Sequence, residues 1–138
     1  ASLALAGKMG ADKLVKADGN EVEAVLELTG GAGAEAVIDF VGEKGTTTKG
    51  LKMTRPMGSY YVVGYGEDIT VPTVDMVITE KNIIGNLVGT WAELVELMAL
   101  ADRGLVDLTT VEYRLADANQ ALKDLHDGKI HGRAVLIP

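Results

Sequence analysis

Residues 35–42, Glu-Ala-Val-Ile-Asp-Phe-Val-Gly, form an almost unbroken apolar run that ends on a glycine. Ala36, Val37, Ile38 and Phe40 carry it. A run of this length suits a strand buried on both faces, as in a parallel sheet with helices on either side. At Gly42 the chain must turn, and backbone there can approach a ligand closely. Residues 59–66, Ser-Tyr-Tyr-Val-Val-Gly-Tyr-Gly, repeat the pattern, and residues 82–89, Asn-Ile-Ile-Gly-Asn-Leu-Val-Gly, do so again. We read three neighbouring parallel strands at 36–40, 59–63 and 82–86, joined by right-handed helical crossovers. Their glycine-ended tips would share one ligand crevice.

A chain of 138 residues supports one domain with a real core. Its net charge of −7 argues against a nucleic acid or an anionic membrane as the main partner. There is no cysteine. Disulfides and thiolate metal ligands are thereby excluded, and a reducing cytoplasm fits. No apolar stretch is long enough to span a bilayer, and no signal-peptide pattern opens the chain.

Helices alternate with the three runs. The first is the tail of a helix over residues 2–10, with Leu3, Ala6 and Met9 on one face and Gly10 as its stop. A short strand is expected at 13–17, a helix at 20–28, and a glycine-rich turn at 29–34. The next helix spans 43–55, where Pro56, Met57 and Gly58 stop it. Residues 67–80 read as irregular, with a short edge strand at 69–71 and Pro72 breaking any longer element. Thr90 and Glu93 make a capping box, since hydroxyl and carboxylate can each serve an orphan amide. Trp91, Leu94, Val95, Met98 and Ala101 then form a helix face expected in the core. A strand at 110–115, a helix at 117–127 and a final strand at 133–138 complete the chain.

The glycines at 30, 31 and 33 precede a strand instead of following one, so they read as a turn and not as a dinucleotide fingerprint. Gly64-Tyr-Gly66 does follow a strand, but Glu67 and Asp68 come next and would repel a phosphate. His126 and His131, near Asp124 and Asp127, admit a metal site, although a solvated helix end explains them as well. No serine, histidine and acid set suggests a nucleophilic triad. Arg133 precedes an apolar strand, where it is either solvent-exposed or placed to grip a phosphate bidentately.

Several stretches together resemble the second half of a zinc-type medium-chain alcohol dehydrogenase. They are Gly10-Ala-Asp12, Leu28-Thr-Gly-Gly31, the run from Ala34 to Gly42, Gly58-Ser-Tyr-Tyr-Val-Val-Gly64, Ile84-Gly85, and the ending Gly128-Lys-Ile-His-Gly-Arg-Ala-Val-Leu-Ile-Pro138. The resemblance implies an α/β, partial Rossmann-type doubly wound parallel sheet that lacks its first two strands and its Gly-rich loop. It implies a partial dinucleotide-binding domain over residues 1–108. Residues 109–138 would be a helix-strand segment that returns to a catalytic domain. It also implies that the chain is a C-terminal fragment, inactive by itself, of an enzyme that interconverts alcohols with aldehydes or ketones.

The coenzyme so implied is NAD(H), with NADP open because the ribose-binding acid lies outside these residues. Zinc would be bound in the parent enzyme, outside this stretch. By position, Phe40, Val41 and Gly42 would lie beside the adenosine side and ribose. Val63, Gly64 and Tyr65 would present backbone and an apolar wall to the nicotinamide. Leu87 and Val88 would meet its carboxamide edge, and Arg133 would reach the pyrophosphate. No residue here is implied to be catalytic or to ligate a metal. The implied partners are a small alcohol or carbonyl substrate and further copies of the chain, as a dimer or tetramer joined through residues 69–84. The edge left bare by the missing strands would favour such assembly. Two readings compete: a zinc-free quinone-reductase relative, and a non-catalytic nucleotide-binding or assembly module.

Overall fold

The computed structural model describes residues 2–138, which divide into two compact units. One comprises residues 12–88 and the other residues 2–11 with 89–138.

In the first unit, α2 (Glu21–Leu28), β1 (Ala34–Asp39), α3 (Thr46–Met53), β2 (Thr54–Val62), α4 (Thr73–Thr79) and β3 (Asn82–Gly85) follow one another. The three strands form one parallel sheet in the order β1-β2-β3, as expected from the three apolar runs. Val37 pairs with Tyr60 and Asp39 with Val62, while Tyr61 pairs with Ile84. This register brings all three glycine-ended tips to the same end of the sheet.

The second unit holds α1 (Ser2–Lys8), α5 (Trp91–Asp102), β4 (Thr110–Arg114), α6 (Ala118–His126) and β5 (Arg133–Ile137). Here β4 and β5 pair in parallel and α6 packs on both. Asp124 anchors this connection by accepting from Tyr113 Oη at 3.2 Å and from Lys129 Nζ at 3.1 Å.

The core of the first unit is narrow. Tyr60 is wholly buried, and its ring lies against Gly50 of α3, where a Cβ would strike it. Thr54 is also buried, and its hydroxyl donates to the Gly50 carbonyl at 2.8 Å. Across the helices, Lys49 of α3 pairs with Glu21 of α2. The hydrogen bond from Lys49, with backbone amides behind it, holds the Glu21 carboxyl down to about 2.

Helix α3 is made of Thr-Thr-Thr-Lys-Gly-Leu-Lys-Met, a poor helix-forming sequence. Its N-cap is Gly45 in the left-handed region, which supplies no side chain. The cap comes instead from Glu67, twenty-two residues on. That carboxylate accepts from Gly45 N at 2.8 Å, Thr47 N at 3.0 Å and Thr47 Oγ1 at 2.6 Å. A negative group at a helix N-terminus also suits the helix dipole. The Thr47 side chain and then the two amides hold the Glu67 carboxyl below its ordinary value of 4.5.

The sign for stability follows. A depressed carboxyl contributes stability above its unfolded value and loses it as pH falls through the folded one. The unit should therefore weaken below about pH 4.5. Glu67→Gln should flatten the part of that dependence due to α3, and circular dichroism between pH 7 and 3 measures it. An unchanged acid profile would remove Glu67 as the cap.

Several expectations need correction. Residues 13–17 are not a strand, because among the described residues no strand lies beside β1 on that side to pair with them. The helix over 43–55 is shorter. Arg55 and the Pro56-Met57-Gly58 stretch do not stop it but belong to β2, as a bulge where Ala34 pairs with Thr54 and Ala36 with Ser59. Proline is tolerated there because a bulge interrupts the ladder.

Residues 69–71 form no edge strand, and 67–80 is not irregular throughout. Pro72 starts α4 with φ −58, a value suited to helix entry. Strand β1, which lies at one edge of the sheet, is not buried on both faces. Asp39 is buried and Val37 partly so beneath α3, but Ala36 and Ile38 on the other face are exposed.

The capping box forms as expected, with Glu93 N donating to Thr90 Oγ1 and Thr90 N to the Glu93 carboxylate. The face it leads into is not core. Trp91 is 79% exposed and Met98 60%. Helix α6, and not α5, covers β4 and β5 in this unit.

Candidate functional site

The tips of β1 and β2 are welded through backbone. The Asp39 carbonyl accepts from both Val63 N and Gly64 N at 2.9 Å, and the Gly42 carbonyl accepts from Glu67 N at 2.9 Å. Gly42 and Gly64 touch so closely that a Cβ on either would run into the other's loop. Gly42 has φ 63, so a side chain is opposed by both its conformation and its surroundings. Asn86 N, just past β3, donates to the Val62 carbonyl at 2.9 Å and ties the third tip to the second.

Around this weld the chain turns apolar groups outward. Phe40 is 74% exposed, Tyr65 93%, Leu87 90% and Val88 93%, with Val41 and Val63 also open. Val88 has φ 36, a conformation that a β-branched residue adopts only when its surroundings impose it. Eight of the sequence-derived site residues thus lie at one end of one sheet: Phe40, Val41, Gly42, Val63, Gly64, Tyr65, Leu87 and Val88. Open α/β sheets take ligands at this end of their strands. Arg133 belongs to the second unit. It opens β5 and donates from Nη1 to the Gly132 carbonyl at 3.4 Å.

Two features of the site were not foreseen. Glu67 was expected to repel phosphate beside the crevice, but its carboxylate is turned onto the N-terminus of α3. Asp39 was passed over as one polar residue within an apolar run. It is 8% exposed, and its Oδ1 accepts from Val41 N at 2.8 Å and from Gly42 N at 3.0 Å. Its Oδ2 accepts from Tyr60 Oη at 2.7 Å. Burial opposes the charge on Asp39, but the bonds from Tyr60, Gly42 and Val41 outweigh that and hold its carboxyl below the usual range. Burial, then the neighbouring Asp39, pushes the Tyr60 phenol up. The sequence signal was available: an acid within an apolar strand must find donors.

A row of exposed apolar tips beside welded backbone fits a flat ring that needs a wall and main-chain partners. Zinc does not fit this stretch. The chain has no cysteine, and among the described residues no three His, Cys, Asp or Glu side chains are grouped to hold a metal, His126 and His131 included.

The sequence model described as "Zinc-binding dehydrogenase" matches residues 1–103. The chain is 32% identical to a protein of Sulfurisphaera tokodaii named NAD-dependent alcohol dehydrogenase, over 99% of this chain and 40% of that one. The crystal structure of the alcohol dehydrogenase from Aeropyrum pernix superposes with a TM-score of 0.90 at 39% identity, again covering 99% of this chain and 40% of the other. A quinone oxidoreductase of Pseudomonas syringae shares the fold, with a TM-score of 0.79 at 23% identity, covering 99% of this chain and 46% of that one. The chain thus spans about 40% of the length of the curated NAD-dependent alcohol dehydrogenases it matches. With the family's own model covering most of its length, the chain belongs to the zinc-binding dehydrogenase family.

Proposed function

We propose that this chain is the coenzyme-side part of an NAD-dependent alcohol dehydrogenase, one that interconverts alcohols with aldehydes or ketones. The observation that carries this is the row of exposed apolar tips at the ligand-taking end of the three-stranded parallel sheet. The coenzyme, when bound, supplies hydride chemistry. The residues here hold and orient it. Phe40, Val41 and Gly42 face the adenosine side and ribose, and Val63, Gly64 and Tyr65 wall the nicotinamide. Leu87 and Val88 meet its carboxamide edge, and for Arg133, in the other unit, a pyrophosphate contact in the parent enzyme is what the resemblance implies. Zinc would be held by residues outside this stretch.

Titration of the 138-residue chain with NADH and NADPH, followed by fluorescence and amide shifts, tests the reading. Saturable binding that moves the amides of Val41, Gly42 and Gly64 is expected with either coenzyme, since the ribose-binding acid that separates them lies outside these residues. No saturable binding of either would overturn it. In the parent enzyme, Arg133→Ala should weaken coenzyme binding by roughly 1–3 kcal/mol, the range for a charged hydrogen bond. No alcohol oxidation by the chain itself is expected, because it presents no zinc-ligand set.

Self-association belongs to the same reading, together with a cytoplasmic setting. Among the described residues strand β3 has an unpaired edge, and Val74, Val77 and Ile78 of α4, the helix that precedes it, are exposed. An unpaired strand edge is a template for pairing with another chain, and exposed apolar side chains nearby add surface to bury. We expect a homodimer or larger assembly through residues 69–84. The double variant Val77→Glu with Ile78→Glu should shift it to monomer in sedimentation at micromolar concentration. A wild-type chain that sediments as monomer would refute this.

A further inference from the structure

We propose that Asp39 is the positioning residue of the crevice, fixing the tips of β1 and β2 in the one arrangement that a coenzyme meets. The proposal rests on the coenzyme reading above and assigns the role to a residue that touches no ligand itself.

Asp39 ends β1 beneath α3, where an apolar residue would pack without penalty. A buried carboxylate is costly unless its oxygens are fully served. Here they are. One side-chain oxygen takes the amides of Val41 and Gly42, the other takes the Tyr60 hydroxyl, and the main-chain carbonyl takes the amides of Val63 and Gly64. Five donors therefore converge on one residue, and four are amides of the tip residues themselves. An acidic side chain bonded to amides two and three residues on sets the turn that follows it. This turn leaves Phe40 and Val41 facing outward and brings Gly42 flush with Gly64.

The position of Asp39 is set in turn from behind. Tyr60 is clamped because its ring lies on Gly50, with no room to withdraw. A line of contact thus runs from α3 through Tyr60 and Asp39 to the crevice. Burial alone demands only that Asp39 be satisfied somehow; it does not demand that the satisfying groups be the amides that shape the site.

The test compares the full 138-residue chain with Asp39→Ala, Asp39→Asn and Tyr60→Phe. Two quantities are measured: amide hydrogen exchange and the NADH dissociation constant. In Asp39→Ala, exchange at Val41 and Gly42, whose acceptor is lost, should rise about tenfold, and at Val63 and Gly64, which keep the main-chain carbonyl at position 39, by less, while α2 amides keep their protection. NADH binding should weaken by a similar factor. Asparagine keeps an acceptor for the two amides and should recover most of both quantities. Tyr60→Phe should loosen the same amides by about threefold.

A uniform rise in exchange across the unit would reduce Asp39 to a general stabiliser and overturn the proposal. So would loosened tips with unchanged NADH affinity. Should Asp39→Ala fail to fold, Asp39→Asn and Tyr60→Phe carry the comparison. Should the wild-type chain bind no NADH, the coenzyme reading falls, and selective exchange at the four amides still decides whether Asp39 sets the tips.

Discussion

Gly42→Ala is expected to destabilise the sheet unit by roughly 2–5 kcal/mol, visible as a lower urea midpoint for this chain. Two independent costs add. At φ 63 a residue with a Cβ sits in the left-handed region, which costs on the order of 1–2 kcal/mol. The new methyl would also land on the backbone of Gly64 and Tyr65, and forcing volume into a packed place costs about 1–3 kcal/mol. Backbone cannot step aside as the end of a flexible side chain can, so the β2 tip must move. Gly31→Ala is the control. Gly31 has φ 86 but open space around its Cβ, so only the conformational cost applies. Equal losses at the two positions would show that the contact between Gly42 and Gly64 is not tight. The Gly42 variant should also lose NADH binding, since the crevice is built on that contact.

The same glycines show what the chain reveals on reading. Three apolar runs, each ending in glycine, were enough to place three adjacent parallel strands and to gather eight candidate residues at one end of them. Periodicity carries that information because helix crossovers leave parallel strands few arrangements. Burial was less legible. The run at 35–42 looks two-sided, and α5 carries an apolar face, yet Ile38 and Trp91 stand exposed. Apolar pattern states that a face wants cover; it does not state what covers it. Long-range polar contacts were not legible at all. The cap of α3 comes from Glu67, and the carboxylate of Asp39 is completed by Tyr60, twenty-one residues away. No local spacing rule reaches that far. Helix α4 was missed because seven residues after a proline show little periodicity.

Tyr60→Ala should have an effect of similar size, a loss of roughly 3–5 kcal/mol, the range for emptying a large aromatic site in a core. Tyr60 is the larger of the two fully buried side chains, and both helix α3 and strand β1 depend on it. The variant removes ring contact with Gly50 and also leaves Asp39 Oδ2 without its donor. Tyr60→Phe separates the two effects. It keeps the ring and removes only the hydroxyl, so its cost should be roughly 1.5–3 kcal/mol, that of a hydrogen bond to a charged group. Trp91→Ala provides the opposite control. Trp91 is bulkier but 79% exposed, and its loss should stay within about 0.5 kcal/mol. A domain of this size has a net stability of only about 5–15 kcal/mol, so Tyr60→Ala should leave the sheet unit close to unfolding at 25 °C. Thermal melts followed by circular dichroism measure all three variants. If Tyr60→Ala proves no worse than Tyr60→Phe, the ring is not what holds α3 on the sheet. The stability of the crevice would then have to come from the strand ladder alone.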